Sequence, residues 1–114
     1  MKKSHKHLYE GMYILNATLS DEARNRALDK IKAGITEHGG EIHKLHELGR
    51  RKLAYPIDKK REGYYYVIFF SVDTAAINEM WRDYHLNEDL IRFMTLQTEK
   101  VEEEIKHLEI IESA

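Results

Sequence analysis

GYYYVIFFSV, residues 63–72, carries the strongest structural signal in the sequence. A strand with one face in water alternates apolar and polar residues, but residues 64–70 are apolar or aromatic without a break. A run of this kind is typical of a strand at the centre of a sheet. It could also serve as a platform for stacked bases or as a docking face for another molecule, and the surrounding sequence must distinguish these three uses.

The N-terminal third of the chain predicts a strand followed by a helix. Residues 8–15 predict the strand and residues 16–19 a turn. Ser20 is a suitable N-cap because its hydroxyl can accept a hydrogen bond from the first helical turn, where acidic residues follow. Gly39 and Gly40 are expected to end the helix. Its apolar residues recur at helical spacing: Ala27, Leu28, Ile31 and Ile35.

The middle of the chain predicts an irregular hairpin. Residues 41–48 predict a second strand, but its apolar residues are spaced by three rather than two, which indicates a bulge with Gly49 at the irregularity. Pro56 places this strand at an edge of the sheet, since proline cannot donate a ladder hydrogen bond. Residues 58–62 are expected to form a charged loop, from which Gly63 opens the third strand.

A second helix and a fourth strand complete the pattern. Thr74 is expected to cap the helix, and residues 90–98 predict the last strand. The order βαββαβ predicts an α+β fold, a ferredoxin-like sandwich with a four-stranded antiparallel sheet and two helices on one face. Residues 1–98 would form this domain, and residues 99–114 an acidic C-terminal helix or tail. The stripe that the second helix turns to the sheet is Ile77, Met80, Trp81 and Tyr84.

Composition excludes several classes of function. The chain has 114 residues, 33% of them charged, a formal net charge of −2 and no cysteine, which is typical of one globular domain in a reducing cytoplasmic compartment. No nucleophile motif and no phosphate-binding glycine loop is present, so no enzymatic activity and no cofactor are expected. His5 with His7, and His43 with His46, could suggest metal binding, but no third ligand accompanies either pair.

The alternation of side chains along the strands separates the two faces of the sheet. On the third strand the even-numbered residues form the cleaner apolar set, which we therefore place against the helices. The residues expected to face the helices are Tyr9, Tyr13, Leu15, Tyr64, Tyr66, Ile68, Phe70, Val72, Ile91, Phe93 and Thr95. The opposite side of the sheet, the outer face, would carry Met12, Ile14, Tyr65, Val67, Phe69, Met94 and Leu96, with Glu10 and Arg92 at its edge.

Two helices cover only one side of a sheet, so the outer face is expected to be bare. A contiguous apolar surface of that size usually marks a contact site. An external partner, the C-terminal helix or a second copy of the chain could cover it. The first of these is the interpretation we favour.

A short resemblance to the RNA-recognition motif family would give the aromatic run another use. EGYYYVIF, residues 62–69, resembles the longer motif of that family, and MYILN, residues 12–16, resembles the shorter one. The resemblance implies that Tyr13, Tyr64 and Tyr66 point outward and stack bases of single-stranded RNA. Glu62 stands where that family has a basic residue.

A second resemblance covers roughly residues 8–98. YEGMYILNATL from residue 9, GRRKLAYPIDKKREGYYYVIFF from residue 49 and LIRFMTLQTEK from residue 90 are similar to the bacterial small-subunit ribosomal protein six family. The segment GRRKLAYPI is the specific signal, because no generic α+β domain requires it. The resemblance implies a ribosomal protein that binds the central domain of the small-subunit ribosomal RNA together with small-subunit ribosomal protein eighteen.

The same resemblance implies the binding residues. The RNA contacts expected from basic clusters and family positions are Arg50, Arg51, Lys52, Arg92 and Lys3. The contacts expected with the protein partner are Tyr9, Met12, Ile14, Tyr65, Val67, Phe69, Met94 and Leu96.

Overall fold

The computed structural model describes residues 6–57 and 60–103. Four strands and two helices follow the predicted order, and the strands form one antiparallel sheet in the order β2-β3-β1-β4. The ferredoxin-like prediction is confirmed, with β1 and β3 central and β2 at an edge. The elements are β1 Lys6–Asn16, α1 Asp21–Glu37, β2 Glu41–Ile57, β3 Lys60–Asp73, α2 Ile77–His85 and β4 Leu90–Gln97.

The helix boundaries follow from local hydrogen bonds. Ser20 caps α1 as predicted, since its hydroxyl accepts from the backbone N–H of Ala23 at 3.1 Å. The predicted cap of the second helix is wrong. A short 3₁₀ turn, Thr74–Ala76, precedes α2, and the carboxylate of Asp73 caps this turn by accepting from the N–H of Ala75 at 2.9 Å. Ala76 is the N-cap residue of α2 and makes no side-chain capping hydrogen bond. Within the described residues, neither helix combines the length and the apolar composition that crossing a bilayer requires.

The β2–β3 hairpin is longer than the sequence predicted. Its register shifts three times, between Ile42 and Lys44, between Glu47 and Gly49 and between Lys52 and Ile57, and the second shift confirms the predicted bulge at Gly49. The third strand begins at Lys60 instead of Gly63. Strand pairing thus replaces part of the predicted loop, because ladder hydrogen bonds stabilise these charged residues while their side chains reach solvent.

Gly49 lies at the second irregularity with φ +83°, a left-handed conformation that disfavours any residue with a Cβ. We expect Gly49→Ala to lower the free energy of unfolding by roughly 1–2 kcal/mol. Gly34→Ala is the matched control, because Gly34 lies inside α1 with open space around a built Cβ. There alanine should stabilise the protein by about 0.5–1 kcal/mol. Urea denaturation of both variants measures the two changes in unfolding free energy. If both changes have the same sign, the argument from the left-handed conformation of Gly49 is contradicted.

The predicted division of the sheet into two faces is confirmed, with one exception. Tyr13, Tyr66 and Phe70 belong to the apolar cluster formed with α1 and α2, whereas Val67 and Phe69 belong to a separate cluster on the outer face. The exception is on β4. Ile14 pairs with Arg92 and Leu15 with Leu90, so the register skips Ile91, which packs on the outer face instead of toward the helices. Leu90 takes the inward place.

Candidate protein and nucleic-acid interface

The outer face is largely covered within the chain, contrary to expectation. The five central side chains predicted to be bare are each at most 7% exposed: Met12, Ile14, Tyr65, Val67 and Phe69. Partly buried apolar residues from the periphery pack against this cluster: Leu48, Leu53, Ile91 and Val101. The long bulged β2, the bulge in β4 and the segment after β4 therefore supply cover that strand alternation alone does not reveal.

The segment after β4, residues 98–103, runs back over the outer face, and we call it the C-terminal strap. The backbone N–H of Thr98 donates to the carbonyl of Leu8 at 2.9 Å, which extends the β1–β4 pairing by one residue before the strap leaves the sheet edge. Val101 packs against the outer cluster. Residues 99–114 were predicted to form an acidic helix or tail, and within this range residues 99–103 are not helical. The rest of that prediction, residues 104–114, lies outside the described residues.

Two polar contacts from β2 hold the far end of the strap. The Nε2 nitrogen of His46 donates to the carbonyl oxygen of Glu102 at 2.8 Å. The Lys44 ammonium pairs with the Glu103 carboxylate, and this hydrogen bond lowers the pKa of the Glu103 carboxyl. The His46 ring also meets the Phe69 ring edge-on, with 5.8 Å between centroids. β2 and β3 therefore hold the strap over the outer cluster.

The β4 side of the outer face remains open. Met94 pairs with Met12 and Leu96 with Glu10, so both side chains continue the outer face toward the sheet edge. Met94 is 39% exposed and Leu96 52% exposed. No further strand pairs with the outer edge of β4 among the described residues. These two side chains are the predicted partner contacts that are accessible in the chain as it stands.

Tyr9 does not lie on this surface. Its ring stacks on Phe70 with 5.8 Å between centroids, and its hydroxyl donates to the Thr74 hydroxyl at 3.2 Å. It is buried in the helix-facing cluster. This confirms the inward orientation predicted from side-chain alternation, and the partner contact that the family resemblance implies for Tyr9 stays a prediction.

A basic cleft of about 620 Å³ lies at the β2–β3 hairpin beside the turn that follows β1. It brings together the predicted Arg50 and Lys52 with two cations that were not assigned to the site, Lys60 and Arg61. The Arg50 guanidinium binds the Glu62 carboxylate through Nε at 3.0 Å and Nη2 at 2.9 Å, which fixes its orientation. The other lining residues are Asn16, Ala17, Thr18, Leu53, Pro56 and Glu62.

The remaining predicted RNA contacts lie away from this cleft. Arg51 does not line it, and its Nε donates to the carbonyl of Leu48 at 3.0 Å. Arg92 is on β4, at the opposite edge of the sheet from β2, with two strands between them. That separation is about 14 Å at ordinary strand spacing. Lys3 lies outside the described residues.

The base-stacking hypothesis is wrong, because its three rings face the helices. Tyr13 and Tyr66 are buried in the helix-facing cluster, and Tyr64 packs against it. The Arg24 guanidinium lies 4.1 Å from the centroid of the Tyr64 ring and donates to the Tyr66 hydroxyl at 3.0 Å. Within residues 6–57 and 60–103, no three side chains of metal-ligating type converge.

Comparison with known proteins identifies close similarity. A family described as "Ribosomal protein S6" matches residues 8–97. The chain is 60% identical over 106 residues to the small ribosomal subunit protein bS6 of Protochlamydia amoebophila, covering 93% of each chain. It is 60% identical over 103 residues to that of Chlamydia pneumoniae, covering 90% of this chain and 92% of the relative. A crystal structure of 30S ribosomal protein S6 from Thermotoga maritima superimposes with a TM-score of 0.78 at 33% identity, covering 82% of this chain and 88% of the other.

Proposed function

Because the chain belongs to the ribosomal protein S6 family, we propose that it binds small-subunit ribosomal RNA together with a protein partner, small-subunit ribosomal protein eighteen. Membership of this family makes it a structural component of the small ribosomal subunit in the cytoplasm, not an enzyme. The proposed RNA target is the central domain of the small-subunit RNA, and assembly proceeds by binding alone.

The exposed apolar edge of the outer face carries the protein-binding half of this proposal. Met94 and Leu96 extend a buried apolar cluster to the β4 edge, which pairs with no further strand in the part of the chain that the structure describes. Exposed apolar side chains at such an edge favour contact with another molecule. A protein that covers them removes apolar area from water, worth about 25 cal/mol per Å² before the cost of association is subtracted. The buried contacts proposed from the sequence, Met12, Ile14, Tyr65, Val67 and Phe69, adjoin this edge.

The basic cleft supports the RNA-binding half. Arg50, Lys52, Lys60 and Arg61 can contact phosphate oxygens, which positions RNA without reading its bases. Arg51, Arg92 and Lys3 remain proposed as further phosphate contacts. Because the whole chain has a net charge of −2, attraction to RNA is local, and we expect the isolated chain to bind weakly until a basic partner joins.

Met94→Asp tests the proposed docking edge. We expect its affinity for small-subunit ribosomal protein eighteen, measured by calorimetry, to fall at least about tenfold because a carboxylate would be buried at the contact. Leu86→Asp is the matched control, since Leu86 is 75% exposed and lies at the end of α2, away from the outer face. Equal losses in both variants, or an unchanged affinity for Met94→Asp with an intact fold, would contradict the assignment. Phe69→Asp is unsuitable, because a carboxylate at this fully buried position would unfold the protein.

The cleft is tested by removing two exposed charges. We expect Lys52→Gln with Arg61→Gln to reduce the slope of log affinity against log salt by about 2, measured with the partner protein present and central-domain RNA. Arg26→Gln with Lys30→Gln on the exposed side of α1 removes the same charge elsewhere. If this control lowers the slope as much, net charge rather than the cleft explains the binding.

A further inference from the structure

We propose that the C-terminal strap, residues 98–103, gates the outer face: it occupies the surface in the free chain and a partner protein displaces it on binding. This inference rests on the proposed function, in which the outer face docks a protein. It adds a competition within the chain, so that the affinity of the partner depends on how often the strap is open.

The strap occupies the part of the outer face that a partner would otherwise reach. Val101 packs on the same cluster as Val67 and Phe69. Directly beside this covered area, Met94 pairs with Met12 of the cluster and is itself exposed. One continuous apolar surface is therefore divided into an open part on β4 and a part beneath the strap.

The contacts that hold the strap are of the kind that open easily. The Lys44–Glu103 ion pair is at the surface, where the Glu103 side chain is 80% exposed, and exposed ion pairs contribute little. The His46–Glu102 hydrogen bond is also exposed. Residues 99–103 have no helical or strand hydrogen bonding of their own. Segments with few buried contacts and exposed hydrogen bonds open locally while the rest of the fold remains intact.

A partner can replace each contact of the strap. An apolar side chain of the partner takes the place of Val101, and an acceptor group satisfies His46. When only the open form binds, the apparent dissociation constant is the intrinsic constant divided by the open fraction. Weakening the strap should therefore tighten partner binding, whereas damage to the docking face itself weakens it.

Thiol labelling can measure the opening directly, because the chain has no cysteine. In the full chain, Val67→Cys places a thiol in the outer cluster and Ile68→Cys places one in the helix-facing cluster. Each is combined with Val101→Glu, which removes the apolar anchor of the strap. Lys100→Glu, at an exposed neighbouring position, replaces a cation with an anion, a larger change of charge than Val101→Glu, and removes no contact with the outer cluster.

We expect Val101→Glu to shift the equilibrium between closed and open strap about tenfold toward the open form, and so to raise the labelling rate of the Val67→Cys thiol about tenfold. The labelling rate of the Ile68→Cys thiol should be unchanged. The same variant, without the added thiols, should bind small-subunit ribosomal protein eighteen about tenfold more tightly, because labelling rate and apparent affinity both scale with the open fraction. Lys100→Glu should leave both quantities unchanged.

The possible results separate the strap from the proposed function. If labelling of the outer-cluster thiol and of the helix-facing thiol accelerates equally, the substitution loosens the whole fold, and this result would overturn the proposed gating by the strap. If only the outer-cluster thiol is labelled faster and no variant binds the partner, local opening of the strap is supported and the proposed partner is overturned. Faster labelling with unchanged or weaker partner binding, where the unmodified chain does bind, would overturn gating and leave the proposed function standing.

Discussion

Tyr13→Ala is expected to lower the free energy of unfolding by about 3–5 kcal/mol, the range found when a large aromatic residue is removed from a core. Tyr13 has no exposed surface and lies on β1, a central strand of the sheet. Its ring meets the Tyr84 ring edge-on at 5.3 Å between centroids, and the two hydroxyls share a 2.9 Å hydrogen bond. Gly11 makes room for this arrangement, since a Cβ there would lie 2.6 Å from the Tyr13 hydroxyl. Urea denaturation measures the loss.

Tyr13→Phe separates the hydroxyl from the ring. It should lower the free energy of unfolding by only about 1–3 kcal/mol, because packing is kept while the buried Tyr84 hydroxyl loses its partner. A base-stacking role predicts the reverse of our expectation, namely lost RNA binding at normal stability. Normal stability of Tyr13→Ala would therefore contradict the helix-facing position of this ring.

The position of Tyr13 shows what the sequence can establish about this fold. Alternation along a strand is a local property, so the faces of β1 and β3 could be predicted residue by residue. The bulge that turns Ile91 to the outer face depends on how β4 pairs with β1, and no pattern within β4 reveals it. Trp81 was predicted to face the sheet with the rest of its stripe, but its ring is only partly buried. Its Nε1 donates to the Thr95 hydroxyl at 3.0 Å, at the edge of the sheet.

The candidate site shows the same limit. The basic residues were visible in the sequence as separate clusters, but their meeting in one cleft depends on the hairpin register and on the turn after β1. Likewise, residues 99–114 were predicted only as an acidic helix or tail, with no contact to the sheet specified. The structure instead places Val101 on the outer cluster, because His46 and Lys44 of β2 hold the segment that follows β4 across the sheet. Contacts between distant segments decide such features.

Stability is expected to fall steeply as the pH rises from about 10 to 12, through the Tyr13–Tyr84 pair. Burial raises the pKa of Tyr84 to about 12, and burial, reinforced by Tyr84, raises the pKa of Tyr13 well above its ordinary value. An unfolded tyrosine has a pKa of about 10, so in this window the folded state binds more protons than the unfolded state. Stability from the pair is therefore complete below pH 10 and is lost as the pH rises. A shift of two units corresponds to about 2–3 kcal/mol for Tyr84, with a further loss from Tyr13.

Urea denaturation over this pH range, with phenolate absorbance as a second observable, measures the effect on the coupled pair. Lysines also lose charge in this range, so the comparison is with Tyr84→Phe, which keeps every lysine and removes one titrating hydroxyl. Its free energy of unfolding should start lower at pH 9, because Tyr13 loses its hydrogen-bond partner, and then fall less steeply. The double variant Tyr13→Phe with Tyr84→Phe should have the flattest dependence. If the free energy of unfolding depends on pH in the same way in all three proteins, alkaline unfolding comes from the titration of other groups. This result would also mean that the two phenols are accessible to water in the folded protein.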